Sequence, residues 1–219
     1  MDNQKINIMD CALIAVATGV KAQNLRELRD QIRDIHQGCL YHHFWGHLLH
    51  PHFDDREFQN DFAVWAKRDM HDAKIAEKLS SIDPNRFNDL EDLRKEVVEI
   101  LEERLSESEY VPWAKPGNEF HFIRSQTVVF DTGESYNDPQ HLIDVIPGMS
   151  LGSIFYHFID ARRRTPESRN DFSTWLAGFG DKYQALMEDL NNIDPYFTTL
   201  TELREEMNLV FNEYYKVTA

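Results

Sequence analysis

Cysteine is almost missing from this chain of 219 residues: Cys11 and Cys39 are the only two, and both lie inside apolar stretches of the first half. A secreted scaffold stapled by disulfides is therefore not indicated, and the pair reads as two reduced, buried thiols. Basic residues are also scarce, 23 against 38 acidic ones, for a net charge of −15. That field repels phosphate backbones and anionic membrane surfaces, so neither nucleic acid nor a membrane is expected as a partner. No apolar run is long enough to cross a bilayer. Met9 to Ala17 ends in an Ala-Val-Ala that imitates a signal-peptidase site, yet the preceding MDNQK carries no net positive charge and Asp10 interrupts the run. The expectation is a cytoplasmic protein. Also lacking are HExxH, a phosphate-binding glycine loop, a nucleophile elbow and a paired-cysteine zinc site.

What the chain does contain is a repeat, together with a 42% hydrophobic share that is ample for a core. Thr18-Gly19, Leu28, Ile32, Gly38 and His43-Phe44 recur as Thr132-Gly133, Leu142, Ile146, Gly152 and His157-Phe158, all at an offset of 114, as in 157 − 43. Asn60-Asp61-Phe62 and Trp65 recur as Asn170-Asp171-Phe172 and Trp175, and Ile82-Asp83-Pro84 as Ile193-Asp194-Pro195. Leu90, Leu93, Arg94, Val97 and Leu101 align with Leu200, Leu203, Arg204, Met207 and Phe211. We read two tandem copies of one module, residues 1–106 and 120–219, the aligned parts running from Ile6 to Leu105 and from Phe120 to Tyr215. The joint, 107–119, holds Tyr110, Val111, Pro112 and Trp113 and is expected to dock rather than hang free.

Each copy opens on an extended stretch, clearest from Phe120 to Phe130, closed by a Thr-Gly turn. An amphipathic helix follows in copy one, with Leu25, Leu28, Ile32 and Ile35 on one face, Asn24 as N-cap and Glu27 completing a capping box. Copy two uses Asp138 and Pro139 to start its helix and Pro147-Gly148 to end it. The aromatic blocks LYHHF and IFYHF begin a second helix, running toward Leu49 or Arg164. The NDFxxW blocks start a third, turning Phe62, Trp65, Phe172 and Trp175 inward. A final helix is capped by Asp89 or Thr199. The resulting class is a helix-dominated α+β fold, each module a strand followed by about four helices, with an all-α fold as the alternative.

The Thr-Gly turn, the Y-H-F-like block and the D-F-x-x-W block together resemble a prokaryotic family known only as domain of unknown function 5752. The resemblance covers nearly the whole chain. It implies architecture and no activity or cofactor. His42 stands in copy one where Tyr156 stands in copy two.

Two groups of residues could carry chemistry. His43, His47, His50 and His52 with Asp54 and Asp55 have a spacing that lets imidazoles converge along a helix face on a divalent transition metal such as zinc, iron or manganese. Gly46, Pro51 and the loss of His47 and His50 from copy two favour a plain polar face instead. His43 and His157 keep histidine in both copies, which suits either a hydrogen-bonded core residue or a general base in a repeated pocket. Arg162, Arg163 and Arg164 form a local basic patch suited to carboxylate or phosphate groups, with Arg163, Arg164 and the nearby Tyr156 as ligand-binding candidates, although ion pairing of Asp160 with Arg163 or Arg164 is the simpler use. Duplicated cores with divergent surfaces point to a non-catalytic binding or interaction protein, which the reading allows to be a homodimer. A metal-dependent, hydrolase-like enzyme using the copy-one cluster is the alternative.

Overall fold

The protein is described here from a computed structural model covering residues 4–49, 57–87, 89–107, 112–165 and 167–218. Two strands of 17 residues, β1 (Ile6–Ala22) and β2 (Phe120–Tyr136), are hydrogen-bonded neighbours in one two-stranded sheet. Thr18 donates its hydroxyl to the Phe122 carbonyl and Thr132 to that of Ile8, so the strands run antiparallel. Helices make up most of the remainder. After β1 come α1 (Leu25–Asp34), α2 (Gln37–Trp45), α3 (Asp61–Arg68), α4 (Ala73–Ser80) and α5 (Leu90–Ser106). After β2 come the short α6 (Leu142–Val145), α7 (Leu151–Ile154) and α8 (Ala161–Arg164), then α9 (Asp171–Ala177), α10 (Gln184–Asn192) and α11 (Leu200–Thr218). The fold is α+β, and the sheet removes the all-α alternative. None of the helices among the described residues is long and apolar enough to cross a membrane.

The compact units cut across the spans 1–106 and 120–219. One unit comprises Met1–Ala12 with Thr127–Ala219, the other Leu13–Gln126. Each therefore takes the front of one strand and the back of the other.

In the Leu13–Gln126 unit, α1 begins at Asn24, whose side chain accepts the Glu27 N–H at 2.9 Å. Glu27 reaches back to the Gln23 N–H, one residue before the position that a standard capping box would use. Leu25, Leu28 and Ile32 are buried, as the helical spacing requires, while Ile35 ends the helix as its C-cap. Asn60 caps α3 and sends Phe62 and Trp65 into the core, where the Trp65 indole N–H donates to the Asn118 carbonyl. Leu90, Leu93, Val97 and Leu101 of α5 complete the apolar floor. α4 was not foreseen. It starts from Asp72, whose carboxylate accepts the Ile75 N–H, and buries Ile75, Ala76 and Leu79. Within the expected docked joint, the Ala114 N–H donates to the Gln23 carbonyl. Trp113, however, is 64% exposed, and Tyr110 and Val111 lie outside the described residues.

The other unit repeats several of these devices. Asn170 caps α9, Phe172 and Trp175 are buried, and the Trp175 indole N–H donates to the Gln4 carbonyl. Asp138 and Pro139 open a 3-10 turn rather than a long helix, and the chain turns again at Ile146–Gly148 as Pro147-Gly148 led us to expect. Between α7 and α8 the backbone widens into a π-helical turn, Phe155–Asp160. Nothing in the sequence signals that widening.

Both strands carry the same burial rhythm. Ile6, Ile8 and Cys11 are buried on β1, and Phe120, Phe122 and Ser125 on β2, so the spacing slips from two to three as at a bulge. Thr-Gly is not a turn. β1 continues to Ala22 and β2 to Tyr136, with Gly19 and Gly133 at φ 76° and 80° inside the strands, a left-handed step suited to glycine. The turn reading failed because a glycine bulge and a turn demand the same φ. Gly152 serves a different end: a Cβ there would collide with the Cys11 carbonyl and the Asp10 carboxylate, so its absence lets α7 seat against β1. Replacing Gly152 with alanine is expected to cost about 1–3 kcal/mol of stability, as overpacked sites do. Thermal unfolding checks this. Gly38→Ala should cost less, since there the nearest backbone atom is the Ser125 oxygen at 3.1 Å.

Candidate functional site

His43 is 3% exposed on α2, and it is packed by the rings of Phe62, Phe120 and Phe122. The backbone N–H of Ile123 donates to its Nε2 at 3.2 Å, while its Nδ1 lies 2.9 Å from Asp61 Oδ2. An amide can only donate, so Nε2 must offer a lone pair and the ring proton belongs on Nδ1, facing the carboxylate. The other unit has the same arrangement. His157 Nε2 accepts the Met9 N–H at 2.8 Å, and its Nδ1 lies 2.8 Å from Asp171 Oδ2. Ile123 and Met9 both sit where the strand burial slips. An amide turned away from the ladder at such a slip would be an unpaired, part-buried donor, and each imidazole satisfies one.

Asp61 and Asp171 open α3 and α9, directly after the capping asparagines. There a carboxylate is favoured by the helix dipole, and the short side chain holds it beside the histidine. Sequence reading assigned these aspartates no role beyond starting a helix. The signal was present, because both aspartates recur with the two histidines in the matching sequence blocks.

The other expected site residues fare unevenly. His50, His52, Asp54 and Asp55 lie outside the described residues, and His47 is half-buried in the 3-10 turn Gly46–Leu49. The structure instead gathers His42, His43 and Asp61, whose donor atoms fall within 4.8 Å of one another. His42 Nδ1 is 2.8 Å from the Ser125 hydroxyl. A cation on His43 Nδ1 would leave the ring without a proton on either nitrogen, since Nε2 is already an acceptor. Metal-bound histidine ordinarily keeps an N–H on its second nitrogen, so this trio fits a metal poorly as it stands.

Arg164 lies with its guanidinium carbon 3.8 Å from the centre of the Tyr156 ring. It donates to Asp160 Oδ2 at 2.9 Å, to Asp171 Oδ2 at 3.0 Å and to the Tyr156 carbonyl at 2.9 Å. These bonds realise the Asp160 pairing and extend it to the aspartate that holds His157. Burial pushes the Tyr156 phenol above its usual value, against the nearby Arg164 charge, so the phenol stays neutral. Arg163 is exposed.

Each unit has a cavity, and only that of the Leu13–Gln126 unit is lined by one of these histidines and its aspartate. One of about 450 Å³ lies over His43 and Asp61 and is bordered by Trp65, Arg68, Asp69, Glu119 and His121. Another of about 300 Å³ is walled by Asp10, Glu134, Asp144, Tyr136 and Ser153.

Neither thiol supplies a nucleophile. Both cysteines are free and buried, and Cys11 donates to the Gly152 carbonyl at 3.3 Å. Burial, then the charges of Asp160 and Asp10, push the Cys11 thiol up to about 12, and burial raises Cys39 as well. A thiol raised on folding contributes stability that is fully present below its unfolded value of 9.0 and is lost as the pH climbs from there toward 12. Iodoacetamide at pH 8 is accordingly expected to label Cys11 only after denaturation, a result that mass spectrometry reads directly. A second expectation concerns the histidines: His157→Ala should cost about 2–4 kcal/mol, from the cavity and the orphaned amide together. Hydrogen exchange should then accelerate at Met9 and not at Ile123, and His43→Ala should reverse the pattern.

No curated protein matches the sequence. A solved structure, that of OrfY from Thermoproteus tenax, is similar in fold with a TM-score of 0.81 and 26% identity, covering 95% of this chain and 94% of that one. A family model described as a family of unknown function, DUF5752, matches residues 3–212 once, as a single unit rather than as two copies in tandem. The chain therefore belongs to the DUF5752 family.

Proposed function

We propose that this chain is a non-catalytic binding or interaction protein, built from one module written twice. The observation that carries the proposal is the bonding of His43 and His157. In both rings one nitrogen accepts a strand amide and the other faces an aspartate, which leaves no imidazole lone pair to act as a base or a ligand. Cys11 and Cys39, held as neutral thiols, add no nucleophile to the two histidines. Duplication is supported by the paired contacts: histidine to strand amide, histidine to aspartate, tryptophan to backbone carbonyl and threonine hydroxyl to strand carbonyl each occur in both units. The net charge of −15 supports a partner that is neither nucleic acid nor an anionic membrane.

The competing reading, a metal-dependent enzyme, has the His42, His43 and Asp61 trio in its favour. Elemental analysis of protein purified without an affinity tag separates the two. We expect zinc, iron and manganese well below one ion per chain, and no rise in melting temperature when each is added. Stoichiometric metal that disappears in His43→Gln would establish the enzyme reading and end this one.

A further inference from the structure

We infer that His157 is an acid-released latch on β1: a second proton on its imidazole frees the Met9 amide and loosens the front of the strand. His157 is 2% exposed, and its two ring nitrogens do opposite work. Nε2 accepts the Met9 N–H at 2.8 Å, from a residue 148 positions away in the chain. Nδ1 lies 2.8 Å from Asp171 Oδ2, and the same oxygen accepts from Arg164 at 3.0 Å. With the Nδ1 proton facing that carboxylate, a further proton has only Nε2 to go to. There it meets the N–H of Met9. Two donors then face one another across a hydrogen-bond distance, and one of them must turn away.

The groups about the ring are few. Asp171 on α9 and Asp160 in the widened turn attract a positive imidazolium, whereas Arg164 on α8, bonded to both carboxylates, repels it. From β1 come Asp10, which accepts the Cys11 N–H, and Cys11 itself, a neutral thiol. Tyr156, edge-on to the imidazole with centroids 5.0 Å apart, is neutral as well, and Phe172 packs on the ring without charge. The amide bond is therefore whole while the ring is neutral and lost once it is charged, so the strand is held at neutral pH and let go as the pH falls. The same stretch of β1 carries Ile6, Ile8 and Cys11, all buried, so loosening there opens an apolar strand end that is covered at neutral pH. The latch rests on the bonding of His157 and does not depend on whether the chain binds a partner.

A titration from about pH 8 to about pH 4 tests the latch, following the ring-nitrogen NMR shifts of His157 together with hydrogen exchange at Met9, divided by the intrinsic rate at each pH. Protection at Met9 is expected to fall by about tenfold or more, with the same midpoint as the ring, while the amides of α11 keep theirs. His157→Gln puts an amide oxygen where Nε2 stood and has no proton to gain, so Met9 should stay protected at both ends of the range. Should that variant fold poorly, the joint titration of ring and amide in the native chain decides by itself. Protection at Met9 that does not change as the ring titrates would overturn the inference. So would a ring that takes no second proton down to pH 4, a loss shared equally by α11, or a folded His157→Gln chain that releases Met9 in acid as the native one does.

Discussion

Every buried strand amide needs an acceptor, and at the slip in each strand the acceptor is an imidazole. A two-stranded ribbon has no third strand to supply carbonyls, so where the ladder breaks the protein must bring a side chain to the amide or leave a donor unpaired in an apolar interior. His43 and His157 do this from helices, and Asp61 and Asp171 hold their rings in the one tautomer that can accept. The aspartates in turn are placed by asparagine caps. Cap, carboxylate, imidazole and strand therefore form one chain of dependence, so a histidine that looks chemically available is structurally committed.

The same set of bonds has different surroundings in the two units. Around His43 the strand supplies Phe120 and Phe122, and the imidazole sits among aromatic rings. Around His157 the ring packs on Phe172, and the polar side is reinforced: Arg164 stacks on Tyr156 and joins His157 at the Asp171 carboxylate. A widened helical turn accompanies this second solution. The histidine-to-strand bond is present in both settings, each time satisfying a strand amide.

Much of the local structure was legible in the residues. Asn24, Asn60, Asp89, Asp138 and Asn170 cap where their side-chain oxygens can reach free amides, and Phe62, Trp65, Phe172 and Trp175 are buried as their helical spacing implied. Thr-Gly misled because positive φ serves a bulge as readily as a turn. Trp113 misled because an apolar side chain next to a docked backbone is not obliged to bury itself. The histidine pair was recognisable as important, yet its partners Met9 and Ile123 are backbone groups, and no side-chain pattern announces a backbone donor.

By itself the sequence determined the starts of α1, α3, α5 and α9, the apolar stripes and the recurrence of His43 and His157 ahead of an Asn-Asp-Phe block, because caps and amphipathic faces depend on neighbours within a turn or two. Tertiary structure alone decided that residues 1–12 belong with 127–219 and residues 13–126 form the other unit. The reason is that a strand of 17 residues can leave one set of helices and reach another, and nothing local to it records which helices bury its ends.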